Sequence, residues 1–276
     1  MNSAHDTVDP KPAGAAGPRM PAQRLGEEPL VMVKRPPRVT TVDRTRFLLQ
    51  AARGRRVTHV GFAEEGSRSL AQRSGGWMHE RLARVSSSLV GIDIEEEGVA
   101  QARALGYEVY LADCRVPDDI VRQGIPPADL VVAGEVIEHI DSVGPFLDGL
   151  HSLSHSATTM IVTTPNAFRL SNFAASLCGI ELVHPDHVAW YSWFTLKNVL
   201  ERHGWKAERF HTYLRPWNSL RAPARGTTRG RMTVGAGRLV FGLERVVAGS
   251  VAPFLADGLI AVCRPFPRTS GAAPGD

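Results

Sequence analysis

The chain has 276 residues, 43% of them hydrophobic and 22% charged, with a formal net charge of +4. That length supports one large domain with decorations and excludes a disordered or fibrous chain, and the charge is too mild by itself to signal nucleic acid. Cys114, Cys178 and Cys263 are too widely spaced for a disulfide framework or a zinc knuckle, and neither a membrane-spanning run nor a signal-peptide core is visible, so a cytoplasmic protein is expected.

Residues 1–38 carry Pro, Ala, Gly and charges without periodicity and are expected to be a disordered arm, as are residues 266–276 at the other end. The domain between them, 39–265, begins with TVDRTRFLLQAA (41–52), whose Phe47, Leu48 and Ala51 fit one helical face. A first strand is predicted over Arg56–Gly61 and a helix over Met78–Val85. A second strand follows over Ser88–Ile94, then a helix over Glu96–Leu105 ended by Gly106, and a third strand over Tyr107–Leu111 that closes at Asp113. DLVVA (129–133) and TMIVT (159–163) read as the fourth and fifth strands, with a helix from about Val143 to Leu153 between them. Ser192 is placed to cap a helix through Leu196 and Leu200 to Arg202, stopped by Gly204, and Lys206–Tyr213 and Gly258–Cys263 read as the last two strands. Alternation of this kind calls for a parallel sheet covered on both faces.

The first two strands carry the functional signal. Val57–Gly61 and Leu89–Ile94 are apolar and rich in β-branched residues, as buried parallel strands are, and they end at a glycine and at Asp93. An acid at the tip of the second strand is placed to accept hydrogen bonds from ribose hydroxyls, which points to a Rossmann-like domain for an adenosine-containing cofactor.

The ordered pieces HVGFAEEGS (59–67), LVGIDIEEEGVAQARALGYEV (89–109), Asp113, ADLVVAGEVIEHI (128–140), IVTTPN (161–166) and HPDHVAWYSWFTLKNVLERHGW (184–205) resemble the class I S-adenosylmethionine (SAM) dependent methyltransferases. The resemblance implies an α/β fold: a Rossmann-like, seven-stranded, mostly parallel sheet with helices on both faces and one antiparallel edge strand. It implies SAM across the strand ends, with Gly61 at the methionine moiety, Asp93 on the ribose and Asp113 at the adenine amino group. Ala63, Ile94 and Glu135 complete the implied cofactor-binding set. The family's G-x-G-x-G run is altered here: Ala63 stands where the second glycine is expected and Glu65 where the third is. A glutamate there requires a rearranged loop, in which Glu64 or Glu65 either meets the SAM ammonium or is simply solvated.

Glu135, Glu138 and His139 form an ExxEH segment after the fourth strand, and His184-Pro185-Asp186-His187 follows the fifth. On a helical turn the first three share one face. The segment resembles those of ubiquinone-biosynthesis and small-RNA O-methyltransferases, which implies a divalent metal (Mg, Mn or Zn) held by Glu135, Glu138, His139 and His187. The alternative is that His139 or His187 acts as the base that deprotonates a hydroxyl, with the acids only shaping the pocket. Thr164-Pro165-Asn166 lies at the acceptor side, where Asn166 either orients a substrate or caps a helix. The run Trp190, Tyr191, Trp193 and Phe194 reads as core or lid.

Within an insertion over 215–255, the stretch Arg215–Arg238 carries six arginines (Arg215, Arg221, Arg225, Arg229, Arg231 and Arg238) and no acid, either gathering an anionic substrate or balancing acids elsewhere. Leu239–Val251 reads as an amphipathic helix that packs on the sheet, the alternatives being a dimer surface or a membrane contact. The function expected is SAM-dependent O-methylation of a small molecule or sugar, in bacterial specialised (antibiotic) or cell-envelope metabolism. A homodimer is left open, and no nucleic-acid partner is expected. Two alternatives stand. An NAD-dependent oxidoreductase suits Asp93 but not the missing GxGxxG and Tyr-x-x-x-Lys; a catalytically silent SAM-fold scaffold is favoured only by the altered glycine loop.

Overall fold

In a computed structural model of the protein, the residues described are 35–63, 76–215, 240 and 242–266. The expected arm up to residue 34, Glu64, Glu65 and the rest of their loop, the arginines at 221–238 and the tail from 267 lie outside them. The chain divides into two units, Met1–Arg35 and Pro36–Asp276, and all elements below belong to the second.

The helix expected from Thr41 starts late. Thr41–Val42 forms a short strand, β1, beside Thr212–Tyr213, and only then does Asp43 cap α1 (Arg44–Ala52) by accepting from the Arg46 N–H at 2.7 Å. Next come β2 (Arg56–Val60), α2 (Met78–Ala83), β3 (Ser88–Asp93), α3 (Glu96–Ala104), β4 (Glu108–Leu111) and α4 (Pro117–Arg122). The chain continues through β5 (Ala128–Gly134), α5 (Val143–Ser152), β6 (Ser154–Pro165), α6 (Leu170–Ser176), α7 (Trp193–Arg202), β7 (Trp205–Tyr213) and β8 (Gly258–Pro265). Residues 242–250 are helical as well. Ser192 caps α7 as expected, and the structure adds a reciprocal bond from Thr195 that completes a capping box.

The sheet order is β1-β7-β8-β6-β5-β2-β3-β4, all neighbours parallel except where β8 meets β6 and β7. The seven expected strands are therefore present with a two-residue eighth at the edge. The antiparallel strand lies inside the sheet rather than at its edge: after β7 the chain returns and inserts β8 between β7 and β6, and β1 pairs outside β7. Side chains alternate between the two faces, as the pleat requires. Val131 and Ala133 join Phe146, Leu150, Leu196 and Trp205 in one core layer, while Leu130 and Val132 pack with Leu48, Ala52 and Leu82 in the other.

The chain progresses outward from β2 to β3 and β4 on one side and from β5 to β6 on the other. The reversal between β2 and β5 leaves a crevice at their carboxyl ends, which is where open α/β sheets bind ligands.

Candidate active site

A cavity of about 620 Å³ opens at that crevice, walled by the ends of β2, β3, β4 and β5. Among the cofactor residues implied by the sequence, Gly61, Ala63, Asp93, Ile94, Asp113 and Glu135 all line it. Gly61 has φ +70°, and a Cβ there would meet Val136 Cγ2 at 2.2 Å, so only glycine lets β2 turn away beneath the β5 loop. Asp93 ends β3 with one carboxylate oxygen accepting from the Ala63 N–H at 2.8 Å and the other from the Glu95 N–H at 3.0 Å. Burial raises its pKa, and the backbone N–H groups of Ala63, Glu95 and Ile94 oppose that rise. Each oxygen keeps a lone pair for a further donor. Ile94 is exposed on the rim at 60%.

Asp113 is already engaged. The Arg115 guanidinium grips it in a forked ion pair, with Nε at 3.0 Å from each oxygen and Nη2 at 2.8 Å, and this pair holds the carboxyl below its usual range. Arg115 lies only two residues on in the sequence, yet nothing in the sequence marked it.

The alanine at position 63 is accommodated by the helix facing it. Ala63 packs against Gly98 in α3, where a Cβ would come within 2.6 Å of the Ala63 methyl and 2.5 Å of Glu95 Oε2. Glu95 itself caps α3 through the Gly98 N–H. The preceding residue is fixed from below: Trp77 Nε1 donates to the Phe62 carbonyl at 2.9 Å within a buried cluster of Phe62, Trp77 and His79. His79 and His59, 3.3 Å apart through their Nδ1 atoms, are both driven toward the neutral form by burial.

The ExxEH segment does not form the expected helical face. Glu135 adopts φ +58°, and only Ile137–His139 makes a turn of 3-10 helix. Glu135 points at the sheet, where one of its oxygens accepts from Thr163 Oγ1 at 2.8 Å and from the buried Tyr213 hydroxyl at 2.7 Å. Arg44 donates to the same Thr163 hydroxyl at 3.1 Å. Neither Arg44 nor Tyr213 was signalled by the sequence, because their link to Glu135 is purely tertiary. Glu138 is 1% exposed, and neither of its carboxylate oxygens makes a well-formed hydrogen bond among the described residues. Burial and the charge of Glu135 push its carboxyl well above the usual range.

His139 and His187 do come together, with ring centroids 4.7 Å apart and planes at 87°. The cause is a backbone clamp: the Glu138 carbonyl accepts from the N–H groups of both Val188 (2.9 Å) and Ala189 (3.2 Å). His184 joins them, and the cluster within mutual ligating reach among the described residues is His139, His184 and His187, without either acid. The expected set of Glu135, Glu138, His139 and His187 is not the one assembled.

Asn166 is a structural clamp. It is fully buried, donates to the carbonyls of Phe254 and Ala256, and accepts from the Phe168 N–H. In the aromatic run, Tyr191 is buried, Trp193 packs on the core and Trp190 lies under the Arg169 guanidinium. The helix at 242–250 buries Glu244 and Ala248 while Leu243 and Val246 stay exposed. Of the six arginines at 215–238 only Arg215 is described, and it pairs with the buried Asp257.

Residues 50–209, more than half of the chain, match the methyltransferase-domain family. The chain belongs to the class I SAM-dependent methyltransferases. The ubiquinone biosynthesis O-methyltransferase of Rhodopseudomonas palustris (strain TIE-1) is 33% identical over 124 residues, covering 43% of this chain and 47% of that protein. The mitochondrial enzyme of the same name from Bos taurus is 26% identical over 145 residues, covering 47% and 38%. The matched region thus spans less than half the length of these relatives. Among solved structures, a putative methyltransferase from Bacillus halodurans superposes with a TM-score of 0.51 at 12% identity, over 81% of this chain and 99% of that one, which is a likeness of fold. Among the described residues, no helix is long and apolar enough to cross a membrane.

Proposed function

We propose that this methyltransferase places a methyl group on a hydroxyl of a small molecule or sugar, with an imidazole of the His139–His187 pair receiving the proton. The observation that carries the reading is the continuity of one cavity wall from Asp93 and Asp113 to Glu138, His139 and His187. The resemblance to proteins named O-methyltransferases supports the choice of oxygen.

SAM supplies a methyl group on a positively charged sulfur, open to in-line attack. The protein's task is to hold the donor, aim the acceptor and take its proton. Gly61 and the Ala63 N–H bring the backbone to the donor end, and Asp93 receives the two ribose hydroxyls with its remaining lone pairs. Asp113 faces the adenine amino group once Arg115 releases one of its oxygens. Acids on this wall suit a cationic donor. At the acceptor end burial and the neighbouring His139 and His184 lower the pKa of His187, so it is neutral near pH 7 and ready to accept a proton.

A divalent ion (Mg, Mn or Zn) on Glu135, Glu138, His139 and His187 is disfavoured: one Glu135 oxygen is taken by Thr163 and Tyr213 on the sheet side, and among the described residues the ligating atoms in mutual reach come from His139, His184 and His187 without either acid. The proton transfer is therefore assigned to imidazole alone. A catalytically silent scaffold is disfavoured by the intact Asp93 geometry despite Ala63.

Calorimetric titration with S-adenosylhomocysteine, beside NAD, tests the donor half. Asp93→Ala should weaken S-adenosylhomocysteine binding by about 1.5–3 kcal/mol for each charge-assisted hydrogen bond removed, more than tenfold. Transfer of a labelled methyl group from SAM to a panel of phenols, sugars and amines tests the acceptor half. Labelling of amines alone, or S-adenosylhomocysteine binding that ignores Asp93→Ala, would overturn the assignment.

A further inference from the structure

The segment His184-Pro185-Asp186-His187 is a tight turn. The His187 N–H closes it on the His184 carbonyl at 3.1 Å, with proline at the second position, where its fixed φ pre-sets the bend. A turn of this kind brings its first and fourth residues side by side, and the two imidazoles sit with centroids 5.4 Å apart. The clamp of Val188 and Ala189 on the Glu138 carbonyl then seats this pair against His139. One nitrogen from each of His139, His184 and His187 lies within 4.8 Å of the others.

Three further observations bear on what such a cluster holds. The Nδ1 atoms of His139 and His187 are buried and make no hydrogen bond among the described residues, which is costly for ring nitrogens unless a ligand meets them. The Asp186 carboxylate lies 3.4 Å from His184 Nδ1, and a neutral ring that donates from Nδ1 to it offers Nε2 as its ligating nitrogen. A carboxylate beside the second nitrogen of a ligating histidine is the usual way such a ring is oriented. Finally, His184 is half exposed, so the cluster has an entry path from solvent.

We propose that His139, His184 and His187 form an imidazole-only cation site at the acceptor end of the cavity, selective for borderline transition ions such as Zn²⁺ and Co²⁺ over Mg²⁺. The class follows from the donors. Imidazole nitrogen suits Zn²⁺ and its neighbours, whereas Mg²⁺ requires oxygen ligands and retains its waters. Zinc–nitrogen bonds of about 2.0–2.1 Å place tetrahedral ligand nitrogens roughly 3.3 Å apart, so each pair closes by no more than about 1.5 Å, within reach of side-chain rotation. The exposed side of the cluster leaves room for a fourth ligand. This site rests on the proposed function only for its consequence: loading it engages the His187 nitrogen that otherwise receives the proton, so the base form and the loaded form are distinct states of one corner.

The test is titration of the untagged 276-residue chain with Co²⁺, read by its visible d–d absorption and by calorimetry. S-adenosylhomocysteine binding is measured on the same samples, so that loss of the cation site and failure of the donor half are told apart. One Co²⁺ per chain is expected, displaced by Zn²⁺ and unaffected by a large excess of Mg²⁺. His184→Ala, at an exposed position that leaves the core intact, should weaken uptake by more than about tenfold, while Glu138→Gln leaves it close to wild type. Displacement by Mg²⁺, loss in Glu138→Gln but not in His184→Ala, or no uptake by protein that still binds S-adenosylhomocysteine would each overturn the proposal.

Discussion

Adding one methyl group at Gly98 should cost this protein its cofactor more than its fold, and removing one at Ala63 should restore it. In Gly98→Ala the new Cβ would sit 2.6 Å from the Ala63 methyl and 2.5 Å from Glu95 Oε2. The carboxylate is the end of a side chain and moves cheaply. The Ala63 methyl is fixed to the backbone whose N–H reaches Asp93 at 2.8 Å, so relief there displaces the loop from the acid. Overpacking of this size costs about 1–3 kcal/mol, while replacing a helical glycine with alanine returns about 1 kcal/mol. The net change in stability is then no more than about 2 kcal/mol, and the strain appears where the loop meets the ligand. If the whole of it is felt at Asp93, affinity for S-adenosylhomocysteine falls by roughly ten- to a hundredfold. In Ala63→Gly/Gly98→Ala the two residues exchange sizes, and affinity should return to within about threefold of wild type, a coupling of more than about 1 kcal/mol between the sites. Calorimetry on the four proteins of the cycle, with thermal unfolding as the control for folding, decides it. Additive effects, or a Gly98→Ala protein that binds as well as wild type, would refute the reasoning.

Other expectations follow from the same geometry. Gly61→Ala places a Cβ 2.2 Å from Val136 Cγ2 at a positive φ, so it should unfold the chain or abolish S-adenosylhomocysteine binding, as circular dichroism and calorimetry together would show. Arg115→Ala removes the guanidinium from both oxygens of Asp113 and leaves only the residue 115 backbone N–H on Oδ1; if that acid meets the adenine, affinity for the cofactor product should hold or rise, and a fall of tenfold would reassign the adenine contact to Arg115. Burial and Asp257 raise Glu244 to about 7, against the opposing pull of Ser171 and Arg169. A raised carboxyl stabilises the fold in its protonated form. Stability should therefore fall as pH climbs from about 4.5 to 7, by at most about 3 kcal/mol. Glu244→Gln should flatten that part of a denaturation-against-pH curve, and an unchanged slope would remove the group from the account.

What the sequence made legible follows the range of the interactions involved. Strands β2, β3 and β5 stood out because burial on both faces makes them continuous apolar runs, and the acid or glycine at each tip marked the ligand end without any tertiary knowledge. The α7 start was readable because the Ser192 cap acts within three residues, on the Thr195 N–H. Where partners lie far apart in sequence the reading failed. The interior place of β8 depends on a return after β7, and the fate of Glu135 depends on Thr163 and Tyr213, 28 and 78 residues away. A left-handed backbone at Glu135 broke the helical spacing on which the four-residue metal set depended, and no propensity announces that conformation for a glutamate.

Ala63 shows how a local departure misleads when its compensation is remote. Taken alone, a methyl group in the glycine run weighs against cofactor binding. Gly98, 35 residues later in a helix where glycine is costly, returns the missing space. A glycine that a helix does not want is thus a signal in its own right: it marks the place where another element must come close. Here that element is the loop whose N–H holds Asp93. The same logic applies to His184, which reads as the first residue of a surface turn until the clamp on the Glu138 carbonyl carries that turn to His139. In both cases the functional geometry is set by backbone contacts, Ala63 to Asp93 and Val188 and Ala189 to Glu138, that side-chain identity does not encode. Substitutions beneath such contacts should therefore change ligand affinity before they change stability.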